Sequence, residues 1–376
     1  MNKNILLHVA MAACAVLVLA LPPLVDSVNS PLNFMPVITT MEGTQKEQNE
    51  KIATISHALQ GNAIFFLGAS EVSSSQTDPY AVFNYLNKST HKPVVAYGNS
   101  AIENIIQFSI LSSYKDNLSE KSRVVLLISP DSFYFTSFSP VVLTRNLPGT
   151  VFKRLGADSE IRTVLTHFLQ NANPDKINHL SFEQIQLRGW NFQDINKTVS
   201  YQFSSFCDLV KNFYLRHFYS NENAGDGWPE WGTLKTEPDW ALETQKAKII
   251  NDNKGINAAN HWVQPGYYDN PHRAKEWYRN SPDRGEIAAF KNMIKMLKER
   301  HVQVVAIVDP LNPWAITHAD RFKQANEIIT STLKANQIPY FDMYDQPYQN
   351  GWNRDYIHPT DLAWVAMDKF IYEHFL

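Results

Sequence analysis

Ser70 is the residue of this sequence best set to act as a nucleophile. It follows Phe65-Phe66-Leu67-Gly68-Ala69, a hydrophobic run that ends in a glycine and a small residue before the hydroxyl. A strand ending this way presents Ser70 at the carboxyl edge of a sheet, where ligands of open α/β folds bind, and Gly68 permits a tight turn. The same residues also suit a serine that only turns the chain into the next helix. The Gly-x-Ser-x-Gly pentapeptide of the hydrolase elbow is absent, because Val72 stands where the second glycine belongs.

A serine hydroxyl is a poor nucleophile without a base. Asp355-Tyr356-Ile357-His358-Pro359 supplies one, just ahead of an amphipathic stretch that starts near Thr360. An aspartate three residues before a histidine can turn its carboxylate to Nδ1 and leave Nε2 free to accept a proton. Asp131 and Asp309, each at the end of an apolar run, compete for the orienting role. Asp355, His358 and Asp361 also read as metal ligands, but no His-x-x-x-His or comparable partner lies nearby. No metal and no cofactor is expected.

Acyl transfer needs donors for the developing oxyanion. Tyr97-Gly98-Asn99-Ser100 ends a second apolar run and precedes a helix-like stretch. The Gly98 backbone N–H and the Asn99 amide are candidate oxyanion donors beside the Ser70 N–H. A Gly-Asn turn that caps the helix is the alternative.

These residues must be positioned by a sheet. Apolar runs at 63–67, 93–96, 124–128, 302–308 and 338–341 lack polar alternation and read as strands buried on both faces. Amphipathic stretches at 79–86, 101–111, 286–300, 319–333 and 360–375 alternate with them. This predicts a doubly wound α/β domain over 61–376. The gap from about 130 to 285 is too long for a loop and predicts a mainly helical insertion. The insertion holds six of the nine tryptophans, Trp190, Trp228, Trp231, Trp240, Trp262 and Trp277. They suit either a stacking platform for a glycan or polyol, or the packing of a loop-rich subdomain.

The 376 residues carry 34 Lys+Arg against 37 Asp+Glu, a net charge of −3, which argues against a phosphate-driven nucleic-acid binder. A 44% hydrophobic content excludes wholesale disorder. Cys14 and Cys207 stand far apart, which removes a disulfide framework and a zinc ribbon.

Residues 5–25 read ILLHVAMAACAVLVLALPPLV, 21 residues with His8 as the sole strongly polar member. As a helix this spans roughly 30 Å, one hydrocarbon core. Its length and the following Pro22, Pro23 and Asp26 favour an uncleaved anchor over a signal peptide. Lys3 before the span sets residues 1–4 in the cytoplasm by the positive-inside rule, so the remainder of this single-pass protein is expected outside the cell membrane. Residues 26–60 read as a stalk.

Gly68-x-Ser70 after the first run, Gly98 after the second and Asp355-x-x-His358 before the last helix resemble the block order of the SGNH (GDSL-like) hydrolase superfamily. The sequence departs from it where Ala69 and Glu71 flank the serine in place of Asp and Leu, and where Ser129-Pro130-Asp131 replaces a Gly-x-Asn block. Those departures, the N-terminal anchor, the long insertion and Pro310-Leu311-Asn312-Pro313-Trp314 resemble the DltD family of teichoic acid D-alanylation. The resemblance implies an outward-facing serine acyltransferase that moves D-alanyl groups onto hydroxyls of teichoic acid or a similar envelope polymer. It further implies a membrane-bound O-acyltransferase (DltB-like) as partner and a carrier protein upstream. In this reading Ser70 is the nucleophile, His358 the base and Asp355 the orienter. One rival is an SGNH O-acetyltransferase or acetylesterase acting on exopolysaccharide or peptidoglycan. The other is a non-catalytic adaptor for the membrane partner.

Overall fold

The structure, a computed structural model, describes residues 34–90, 92–134, 145–147, 155, 161, 237–265 and 278–376. Among them six parallel strands form one sheet: β1 (Val37–Ile38), β2 (Ile64–Leu67), β3 (Val94–Tyr97), β4 (Arg123–Ile128), β5 (Gln303–Val308) and β6 (Tyr340–Asp342). Their order is β1-β3-β2-β4-β5-β6. Because β3 lies on one side of β2 and β4 on the other, the winding reverses at β2. The crevice at such a switch point is where open α/β sheets bind ligands.

Eight α-helices are described: α1 (Gln45–His57), α2 (Ser70–Ser74), α3 (Val82–Ser89), α4 (Asn104–Ser113), α5 (Trp240–Asn253), α6 (Arg284–Glu299), α7 (Lys323–Ala335) and α8 (Asp361–Phe375). The two-residue period of a strand divides the sheet's side chains between two cores. Phe65, Leu67, Val95, Tyr97, Val124 and Leu126 pack with apolar residues of α1, α4, α6 and α7. Ile64, Phe66, Val94, Ala96, Val125 and Leu127 pack with those of α3 and α8. Both faces are covered, so β2 and β3 are apolar throughout and β4 and β5 are apolar after their first residues, Arg123 and Gln303.

Trp364 of α8 is fully buried, with ring centroids 5.9 Å from Phe66 and 6.3 Å from Phe83. Its Nε1 donates to Ser75 Oγ at 3.1 Å. The C-terminal helix is thereby tied to the turn that follows α2.

Two expectations are corrected. The segment expected as a stalk is, from residue 34, part of the domain. β1 pairs with β3, and Ile38, Met41, Ile52, Ile55, Ala58 and Leu59 are core residues. The helix at 319–333 is two pieces, a 3₁₀ turn over Ala319–Phe322 followed by α7. Within the expected insertion, α5 is capped by Asp239 and packs Trp240 against Tyr85 and Tyr372, at 6.0 and 5.5 Å. Trp240 is thus a packing residue. Trp190, Trp228, Trp231, Trp277, Cys14, Cys207 and the span 5–25 lie outside the described residues. Among the described residues, no helix is long and apolar enough to cross a membrane.

Candidate active site

β2 ends at Leu67, Gly68 donates its N–H to Tyr97 O at 2.9 Å, and α2 starts at once with Ser70. The serine therefore sits on the first residue of a helix, at the carboxyl edge of the strand where the sheet reverses. Gly98 is what allows this turn to seat. A Cβ there would lie 2.7 Å from Ala69 O and 2.7 Å from Val72 Cβ, closer than real Cβ atoms approach.

The histidine comes from the other end of the chain. Residues 352–360 fold back on themselves, with Arg354 N–H donating to His358 O and Thr360 N–H to Trp352 O, both at 2.9 Å. Asp355 Oδ1 accepts the N–H groups of Ile357 and His358 at 2.9 and 2.8 Å, an Asx-type turn that fixes the loop. Asn353 Nδ2 donates to Pro310 O at 2.9 Å, which ties the loop to the end of β5.

These elements bring Ser70, His358 and Asp355 into one hydrogen-bonded chain. His358 Nδ1 lies 2.6 Å from Asp355 Oδ2, and His358 Nε2 lies 2.9 Å from Ser70 Oγ. A carboxylate only accepts, so Nδ1 carries the ring proton and Nε2 accepts from the serine. Asp131 and Asp309 are not the orienting acid. Asp131 accepts from Ser129 Oγ at 2.5 Å and Tyr278 Oη at 2.7 Å, and Asp309 lies against Glu71. Nor do Asp355, His358 and Asp361 converge, since Asp361 Oδ2 pairs with Lys254 Nζ at 2.8 Å.

Both candidate oxyanion donors from the second strand have hydrogen-bond partners within the fold. The Gly98 N–H donates to Ile38 O at 3.1 Å, because the unexpected strand β1 occupies that edge of β3. The Asn99 amide is buried, with one Nδ2 N–H donating to Thr39 O, just after β1, at 2.5 Å and Oδ1 accepting Ser100 N–H at 2.7 Å. The Ser70 N–H, first in α2, has no carbonyl of its own helix to reach and is a candidate oxyanion donor.

A family model described as DltD protein matches residues 40–376. The chain belongs to the DltD family. A comparison with curated proteins finds no match. Membership places the chain in the D-alanylation of teichoic acid, working with other Dlt proteins, and in a family of SGNH-like esterases and acyltransferases. The parallel α/β sheet fits that fold.

The two DltD-like departures flank the serine–histidine pair in the structure. Glu71, next to Ser70, is buried and accepts the Ala69 N–H at 3.0 Å, so its side chain braces the turn that carries Ser70. Burial raises its carboxyl above the usual range, against the opposing pull of His358. Asp131 is likewise raised by burial, although Ser129 and Tyr278 donate to it. Burial alone would lower the His358 imidazole, but the hydrogen bond and charge of Asp355, with Glu71, outweigh it and hold the pKa above the ordinary 6.5. The sequence identified Glu71 by its place but no function for it, because its role depends on burial that spacing does not encode.

Proposed function

We propose that this DltD-family chain is a membrane-anchored, extracytoplasmic serine acyltransferase that passes D-alanyl groups to hydroxyls of teichoic acid through Ser70. The observation that carries the reading is the unbroken Ser70–His358–Asp355 hydrogen-bond chain.

In the first half-reaction Ser70 Oγ attacks the carbonyl carbon of an activated D-alanyl ester or thioester, and His358 Nε2 takes the hydroxyl proton. The carbonyl oxygen becomes an oxyanion facing the Ser70 N–H. Its collapse expels the alcohol or thiol, which leaves with the proton from His358, and Ser70 carries the D-alanyl ester. In the second half an acceptor hydroxyl attacks that ester while His358 takes its proton. Collapse returns the proton to Ser70 Oγ and releases the acylated polymer. Asp355 holds the imidazole in the tautomer that serves both halves and stabilises the imidazolium.

The test is ester-linked alanine on the polymer of cells that depend on this chain. Wild type restores it, and Ser70→Ala and His358→Ala do not. Restoration by Ser70→Ala, with loss only on deletion of residues 1–26, would replace the enzyme reading with the adaptor. Ester-linked acetate in place of alanine would favour the O-acetyltransferase. Residues 5–25 supply the anchor in this reading, so the 1–26 deletion is expected to release the chain from the membrane fraction.

A further inference from the structure

Three large hydrophobic residues are substantially exposed among the described residues: Leu242 at 45%, Ile249 at 53% and Trp314 at 52%. The first two share helix α5, whereas Trp314 stands in the loop after β5, at the carboxyl edge of the sheet where Ser70 lies. An exposed indole is costly in water, and this one is held rigid. Its Nε1 donates to Tyr348 Oη at 2.7 Å, its backbone N–H donates to Asn312 Oδ1 at 3.0 Å, and His261 stacks on the ring at 4.4 Å with planes 16° apart.

The loops that hold it also hold the His358 loop. Asn312 N–H donates to Tyr356 O at 2.9 Å, and Asn312 Nδ2 donates to His261 O at 3.0 Å. Gln264 N–H, three residues on, donates to Arg354 O at 2.9 Å. His261 and its neighbour Trp262 both have left-handed backbones, φ 51° and 61°, as His261 ends the 3₁₀ turn over Ala258–Asn260. Fixation and exposure therefore coincide on one ring, in a loop that shares hydrogen bonds with the one that carries His358.

We propose that Trp314, backed by His261, is a sugar-stacking platform that seats a pyranose unit of the acceptor polymer at the sheet edge that carries Ser70. A flat indole face matches the C–H face of a pyranose, while the polar neighbours His261 and Tyr348 suit its hydroxyl edge. A protein partner would instead need apolar surface continuing around the ring, as binding hot spots are sealed by surrounding contacts. The choice of acceptor unit rests on the acyltransferase reading, whereas the sugar site itself does not.

The test is saturation-transfer NMR on the full chain in a sugar-free detergent, with methyl β-D-glucopyranoside as probe and glycerol 1-phosphate in parallel. Transfer to the glucoside ring protons is expected in wild type and in Ser70→Ala, reduced in Trp314→Phe and lost in Trp314→Ala. A ¹⁵N-tryptophan spectrum of wild type, with the Trp314 indole signal assigned by its loss in Trp314→Phe, is expected to show that signal moving as the glucoside is added. No transfer in wild type, undiminished transfer in Trp314→Ala, a static Trp314 signal, or transfer to glycerol phosphate alone would overturn the proposal. Phosphonate labelling of Ser70 on the same samples separates the two readings. Labelled protein that ignores the glucoside fails only the platform, and unlabelled protein that binds it fails only the acyltransferase.

Discussion

His358 has to be neutral to take a proton from Ser70, and its pKa is held above 6.5 mainly by Asp355 acting against burial. Acylation of Ser70 is therefore expected to rise with pH, with its midpoint above 6.5. Asp355→Asn removes the charge and offers Nδ1 the wrong partner, so the midpoint shifts down and the plateau falls by roughly 10²–10⁴-fold. Rates of phosphonate labelling against pH for the two proteins check both. An unchanged midpoint would show that Asp355 does not set the imidazole's charge. Gly98→Ala gives a second residue-scale prediction. The added methyl would meet Ala69 O and Val72, so stability is expected to fall by about 1–3 kcal/mol and labelling to slow as the turn is displaced. The Asp355-x-x-His358 unit was legible in the sequence because its four residues fold locally. Gly98 was singled out for its N–H, which the structure shows donating to Ile38 O. What the fold uses is its missing side chain, and β1, which takes that N–H, was not foreseen.

Between elements, α6 and α4 are joined by a buried acid. Glu286 of α6 accepts the Ile105 N–H at 3.1 Å, doing for the start of α4 what its own N-cap residue Glu103 does not. Burial pushes the Glu286 carboxyl up to about 8. Glu103 is likewise raised well above its ordinary value by burial and by Glu286. An acid with a raised folded pKa favours the folded state while protonated. Stability is then lost as pH rises through the window between the unfolded value, 4.5, and the folded one, about 8. Each unit of that window is worth up to about 1.4 kcal/mol per proton released. The melting temperature is expected to fall from pH 5 to pH 8, and Glu286→Gln to flatten that slope in part, since Glu103, Asp309 and Asp368 titrate in the same sense. A slope unaltered by Glu286→Gln would remove Glu286 from the account. The strands at this scale were legible because burial on both faces leaves unbroken apolar runs. Val37–Ile38 was not, since two residues beside Pro36 carry no period.

For the whole molecule, the domain starts well before its first long strand. A chain beginning at residue 34 is expected to stay folded and to keep its reactive serine. A chain beginning at 61 loses Ile38, Met41, Ile52, Ile55 and Leu59 from the core. At roughly 1.5–3 kcal/mol for each large apolar side chain, that loss rivals the whole stability of an ordinary domain, about 5–15 kcal/mol. It is expected to be insoluble or to lack a cooperative melt. A cooperative melt for the shorter chain would return residues 34–60 to the role of a stalk. The doubly wound sheet was readable from the alternation of strand and helix, whereas the place where the polar α1 stretch docks was not. Thr44 and Glu47 form a capping box and the helix buries Ile52 and Ile55, but its exposed charges dominate the sequence.

The most direct test of the serine–histidine chain is the intact mass of the protein after exposure to an active-site serine phosphonate. Wild type is expected to gain one adduct, lost in both Ser70→Ala and His358→Ala, with all three proteins showing the same melt. A folded wild type that gains none, or an adduct that persists in Ser70→Ala, would contradict the claim that Ser70 is the nucleophile.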